Sequence, residues 1–271
     1  MNKKIRLLFV VTISVLSILT PGLTSAVGNS LTSKQSQTIK TYFSGIASSQ
    51  PAKIDSAKKS AVNNSPAQKF LDLVQKHFIA SEFFKVRDSY GNVSPLIHDP
   101  KGTYKLSKST VTLDSYFNEI DGKYSNFKFN KSGKLIDFTF ETSDGNKNTL
   151  SSNIYGAILD YKNDGIQVSS GYVWKKPNGN AFIQLKVTNI DAGLFSWSYT
   201  NGRYVAADGV FHSVTTVPLG CVNDNGVTYL EAITSTSPVL ALETQSVLVA
   251  PFFDGCRNAT KKERYLTFTL K

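Results

Sequence analysis

Ile39, Tyr42, Phe43 and Ile46 recur at helical spacing within residues 29–64, a segment otherwise rich in Ser, Ala, Lys, Gln and Thr. That spacing predicts a short amphipathic helix. Pro51 interrupts it, and Ala52 to Val62 read as a second, weaker helix whose small stripe of Ile54, Ala57 and Ala61 packs only lightly. Ser65 then stands as N-cap and Pro66 in the first position of a third helix. Phe70, Leu71, Val74, Phe78 and Phe83 trace its apolar face from Ala67 to about Phe84. Lys69, Asp72, Gln75 and Lys76 turn largely outward, and His77 lies at the boundary.

After Tyr90, Gly91 and Asn92 the period changes to two, which marks entry into strands. Tyr104 to Leu106 and Thr110 to Leu113 are short strands, and Tyr124 to Phe129 and Leu135 to Glu141 flank a hairpin turn at Lys131 to Lys134. Helices on one face of a small antiparallel sheet are the expected arrangement. The polar run Thr142 to Asn148 reads as a surface loop near a domain boundary placed between residues 145 and 165. Beyond it nearly everything is strand by pattern. Ile166 to Lys175 and Ala181 to Asn189 surround a turn at Pro177 to Asn180. Ile183, Leu185 and Val187 alternate with Gln184, Lys186 and Thr188, predicting one apolar and one wet face. Strands at Phe195 to Tyr199, Tyr204 to Ala207, Thr228 to Ile233, Gln245 to Ala250 and Arg264 to Leu270 complete a set whose spacing implies a β-sandwich.

The strand Phe182 to Asn189, the aromatic strand after it, Ala207-Asp208-Gly209 and the closing strand Tyr265 to Leu270 resemble the immunoglobulin-like domains of bacterial exported proteins. The resemblance covers about residues 166–271. It implies a domain that binds or spaces and carries no catalytic residue. The cysteine and tryptophan spacing departs from the Cys-Trp-Cys core of antibody-type domains. The expected fold class is therefore α+β: N-terminal helices with a small antiparallel sheet, followed by an all-β immunoglobulin-like sandwich. The expected division is a leader at 1–26, a weakly helical segment at 27–65, an α+β domain at 66–150 and the sandwich at 160–271.

Lys3, Lys4 and Arg6 precede an apolar run from Leu7 to Leu19, and Thr24, Ser25 and Ala26 offer a small-residue cleavage site. This is the pattern of a cleaved secretory signal peptide, with an apolar run too short for a comfortable membrane span. Export makes a disulfide between Cys221 and Cys256, the only cysteines, the expected pairing. Closing a loop of about 35 residues would contribute roughly 3 to 4 kcal/mol.

Removing the leader's three charges takes the net charge from +10 to +7. Residues 27–150 carry 17 Lys/Arg against 11 Asp/Glu, whereas residues 151–271 carry 10 against 9, so the basic excess belongs to the N-terminal half. Such a field favours an anionic envelope polymer or a membrane surface. Export and the lack of any nucleic-acid-binding signature argue against DNA or RNA.

Candidate chemistry is sparse. His77, His98 and His212 have no Asp, Glu or Cys at metal-ligand spacing, so no metal or other cofactor is expected. His98 and Asp99 could act as base and partner, but no Gly-x-Ser-x-Gly turn supplies a nucleophile. Ser56 with Lys59 and Ser125 with Lys128 match Ser-x-x-Lys without its companion motifs. Asp144, Asn146 and Asn148 repeat the start of a calcium loop, which then fails at Thr149 and Tyr155. Tyr172, Trp174, Phe195, Trp197, Tyr199 and Tyr204 are the densest aromatic group. Tyr172, Trp174, Trp197 and Tyr199 are the candidate ligand-stacking residues; the competing reading is that they fill the sandwich core. The functional expectation is an exported, non-enzymatic binding protein of the bacterial envelope, periplasmic, wall-associated or extracellular, with an anionic polymer or an envelope protein as partner. The alternatives are a secreted hydrolase with its site around His98 and a structural spacer.

Overall fold

The computed structural model describes residues 24–25, 30–82, 85–87, 93–95, 101–157, 161–163, 166–189, 194–197, 202–206, 209–217, 227–235, 239–249 and 262–269. Three helices open the fold: α1 (Ser33–Ala47), α2 (Pro51–Ala57) and α3 (Pro66–Glu82). Thr32 and Gln35 form a capping box at the start of α1, so two otherwise unpaired backbone donors are satisfied there. Pro51 starts α2, and Ser65 Oγ accepts from the Gln68 N–H, 3.2 Å away, to cap α3. The α2 stripe does not pack lightly: Ile54, Ala57 and Ala61 are all buried. Gly45 makes this possible, because a side chain there would collide with Ala57 where α1 and α2 meet.

Three short strands, β1 (Thr24–Ser25), β2 (Lys85–Arg87) and β3 (Val93–Pro95), precede the first main sheet. That sheet is an antiparallel meander of β4 (Thr103–Ser107), β5 (Thr110–Asp114), β6 (Gly122–Phe129), β7 (Leu135–Glu141) and β8 (Lys147–Thr149). Thr24 and Ser25, within the expected cleavage site, pair with Phe129 and Lys128 of β6. The run Thr142 to Asn146 forms a turn whose Thr142 and Asn146 backbones bond across 2.9 Å, and Lys147 then continues the same sheet. The predicted loop is thus a hairpin turn inside the first sheet.

The second sheet comprises β9 (Ile154–Ala157), β10 (Tyr161–Asn163), β11 (Ile166–Lys175), β12 (Ala181–Asn189), β13 (Leu194–Trp197), β14 (Gly202–Ala206), β15 (Phe211–Val217), β16 (Val227–Thr234), β17 (Val239–Val249) and β18 (Lys262–Thr269). Its path runs β10-β11-β12-β16-β15-β14-β17-β13, with β9 also on β11 and β18 on β17. β15 changes partner midway, pairing with β14 up to Val214 and with β16 from Thr215. Helices with antiparallel sheets make the chain α+β. Cys221 and Cys256 lie outside the described residues.

The main core lies between the helices and the first sheet, where Tyr42, Phe43, Phe70, Tyr124, Phe127 and Phe138 meet mostly edge to face or tilted. It extends into the second sheet through Trp174 and Phe182. On the reverse face of the central strands, Val173, Ile183, Leu185, Val187 and Ala232 are also buried. The predicted wet face of β12 is wet only in part: Lys186 and Thr188 are half-buried. Gln184 is 0 % exposed because α3 covers it.

Candidate functional site: the polar seam under the third helix

Strand register sets three rows of side chains across β11, β12 and β16, because residues two apart share a face. Trp174, Phe182 and Ile233 form an apolar row, Tyr172, Gln184 and Glu231 a polar row, and Lys186 faces Tyr229 in a third. The β11 and β12 registers shift between Ser169 and Gly171, a bulge that re-aims the strand. Gly171 is required at that point, since any side chain would run into the Gln184 backbone.

α3 lies over these rows. Phe70 meets Trp174 edge on with ring centres 5.2 Å apart, and Phe140 closes on the same indole at 5.3 Å. The Tyr172 hydroxyl donates to Asp72 Oδ2 (3.2 Å), and Gln184 Nε2 donates both to the Leu73 carbonyl (3.1 Å) and to Glu231 Oε1 (2.8 Å). The other oxygen of Glu231 lies 2.8 Å from His77 Nδ1, and Glu231 is 1 % exposed. The His77 ring stacks on Phe117 at 3.8 Å and 11°. Gln184 Oε1 and Trp174 Nε1 are buried without a partner.

At the end of the seam, Lys58 Nζ pairs with Asp72 at 2.5 Å and donates to Gln75 Oε1 at 2.5 Å. The Lys76 ammonium sits 4.5 Å from the centre of the Tyr172 ring and 5.8 Å from that of Tyr229. Burial lowers the Lys76 pKa, assisted by Lys58 and Lys186 and opposed by Asp72. Burial, then Asp72, pushes the Tyr172 phenol up, and burial also raises that of Tyr229.

Of the helix residues expected to face outward, Asp72 and Lys76 instead dock the helix onto the second sheet, and Gln75 ties it to α2 by donating to the Pro51 carbonyl. Trp174 is a core residue and offers no face to a ligand; Tyr172 is half-buried with its ring already beneath Lys76. Trp197 ends β13, and Tyr199 and His98 lie outside the described residues. The chain matches no known family model and no curated protein. Its chemistry therefore rests on its own geometry. His77 with Glu231 has the form of a base held by a carboxylate, yet among the described residues no hydroxyl or thiol bonds to that imidazole. What the contacts do is fasten α3 to β12 and β16. Sequence reasoning missed Glu231 and Gln184, although a glutamate in the apolar strand Leu230 to Ile233 was a signal that could have found them.

A second feature is the placement of charge around the first sheet. In a meander, alternate turns share an end. Lys108 in the β4–β5 turn and Lys131 and Lys134 around the β6–β7 turn therefore lie at one end, where the stem of Lys34 from α1 rests on Gly133. These four lysines are exposed and have no carboxylate partner among the described residues, and the first turn of α1 carries no acid. The other end carries Asp114, Glu119, Asp121, Glu141 and Asp144, with exposed Lys101 and Lys147 among them, and there Lys176 and Lys123 pair with Glu119 and Glu141. Asp144 is held in its turn by Thr142 and Asn146, and the bond from Thr142 is the largest cause of its depressed pKa. Among the described residues there is no group of three or more His, Cys, Asp or Glu that could hold a metal ion, and no helix is long and apolar enough to cross a membrane.

Proposed function

We propose that this is an exported, non-enzymatic binding protein of the cell envelope that attaches to an anionic polymer through the basic end of its first sheet. The observation that carries this reading is the gathering of Lys34, Lys108, Lys131 and Lys134 at one end of the sheet, without a carboxylate partner among the described residues, while Asp114, Glu119, Asp121, Glu141 and Asp144 lie with other lysines at the opposite end. Unpaired ammonium groups on an exposed rim attract a polyanion at long range and retain it weakly enough to be sensitive to salt. Export is supported by the leader-like residues Lys3 to Leu19 and the small residues before Val27.

In this reading the second sheet folds as an immunoglobulin-like sandwich stapled by Cys221 and Cys256, beginning near residue 160. Its open strand edges are surfaces for an envelope protein by β-addition. The test is sedimentation of the secreted chain with isolated envelope material over a sodium chloride series. Retention that falls steeply with salt, and that Lys131→Glu with Lys134→Glu removes, supports the reading. Retention indifferent to both salt and charge reversal sinks it.

A further inference from the structure

The Lys76 ammonium is the least compensated charge in the seam. It is half-buried, makes no ion pair or hydrogen bond among the described residues, and sits over the rings of Tyr172 and Tyr229. Its neighbour Lys58 is fully committed to Asp72, Gln75 and Asp55. On β12, Lys186 stands in register with Tyr229, half-buried and without a carboxylate partner among the described residues. The Tyr229 hydroxyl also lacks a hydrogen-bond partner among the described residues. A half-buried cation without an acceptor is costly, and cation–π attraction offsets only part of that cost.

We propose that Lys76, Lys186 and the Tyr229 hydroxyl form a binding site for a phosphate group, carried by the anionic polymer that the protein grips. The donors are two point-charge ammonium groups and one phenol. They suit a tetrahedral oxyanion that can take bonds from several directions, whereas a planar carboxylate is better matched by an arginine fork. Nearby Asp72 is engaged by Lys58 and Tyr172 and makes no hydrogen bond to Lys76 among the described residues. The lowered pKa of Lys76 fits an ammonium awaiting an anion, since a bound phosphate would favour its charged form. This inference rests on the proposed envelope binding for the source of the phosphate, while the site itself stands on the seam's geometry.

The experiment is thermal unfolding of the secreted chain in inorganic phosphate, with sodium chloride and sodium acetate at matched ionic strength as the other arms. A ligand that binds only the folded state raises Tm with concentration. Phosphate should raise the wild-type Tm above the chloride and acetate arms. Lys76→Met and, separately, Lys186→Met should each weaken the apparent phosphate affinity by about tenfold, as expected for loss of one charge-assisted bond. Lys131→Glu should keep the phosphate response. An equal response in acetate, or an undiminished response in both methionine variants, overturns the site. Lys186→Met keeps the apolar stem of a half-buried side chain on β12, so this variant remains informative if Lys76→Met unfolds. Wild-type envelope sedimentation reports separately: absent retention with an intact phosphate shift removes the polymer and leaves the site, whereas salt-sensitive retention without a phosphate shift does the reverse.

Discussion

α3 faces two surfaces built on opposite principles. Toward the first sheet it presents Phe70 to Tyr124 and Phe138, an interlocked aromatic core without charges. Toward the second it presents Asp72, the Leu73 carbonyl, Lys76 and His77 to Tyr172, Gln184, Tyr229 and Glu231. The first contact is non-directional and tolerates small errors of register. The second needs each donor opposite its acceptor, because an unpaired buried carboxylate costs several kcal/mol. The aromatic side supplies stability, and the polar side fixes how the helix lies on the strands.

Trp174 stands where the two surfaces meet. Trp174→Ala should show the largest effect, about 3 to 5 kcal/mol in chemical denaturation, because the indole is fully buried between Phe70 and Phe140. His77→Ala, leaving Glu231 buried without its imidazole, should cost about 3 kcal/mol. The comparison sharpens with the pair His77→Phe and Glu231→Leu together, which should recover most of that loss. A double variant no better than His77→Ala would mean that the seam also supplies stability.

Alkaline titration probes the aromatic side. Burial raises the pKa of Tyr42 and Tyr124 well above the ordinary 10.0. Folded protein therefore holds these protons more tightly than unfolded chain, so their contribution is intact below pH 10 and is lost as pH rises through the folded values. Stability measured against pH should decline from about pH 10, and Tyr42→Phe should make that decline shallower. The same variant loses the 2.7 Å bond to the Ala67 carbonyl, at about 1 kcal/mol. The smallest effect belongs to the basic end: Lys131→Glu should change stability by no more than about 0.5 kcal/mol, since Lys131 is exposed at a turn.

Much of the first region was legible in the chain. Ile39, Tyr42, Phe43 and Ile46 marked α1, Ser65 and Pro66 marked the start of α3, and the β6–β7 and β11–β12 turns fell where Gly133 and Gly179 allow positive φ. Periodicity reports which face is apolar, and in the aromatic core that is the whole message. It failed for β12, where Gln184 reads as solvent-facing but is buried under α3. A polar residue on a covered face becomes visible only with its partners, and Leu73 and Glu231 lie 111 and 47 residues away. Asp72 and Lys76 misled for the same reason. The basic end was half legible: the lysine excess is in the sequence, but its gathering at one end follows from strand direction.

The most direct measurement of the proposed attachment is envelope sedimentation of a charge-swapped chain, Lys131→Glu with Asp114→Lys, beside the wild type at equal ionic strength. The swap leaves net charge unchanged and moves positive charge from the basic end to the acidic one. Placement of the lysines predicts reduced retention, with a shallower salt dependence. Retention equal to wild type would contradict it, because net charge alone would then account for binding.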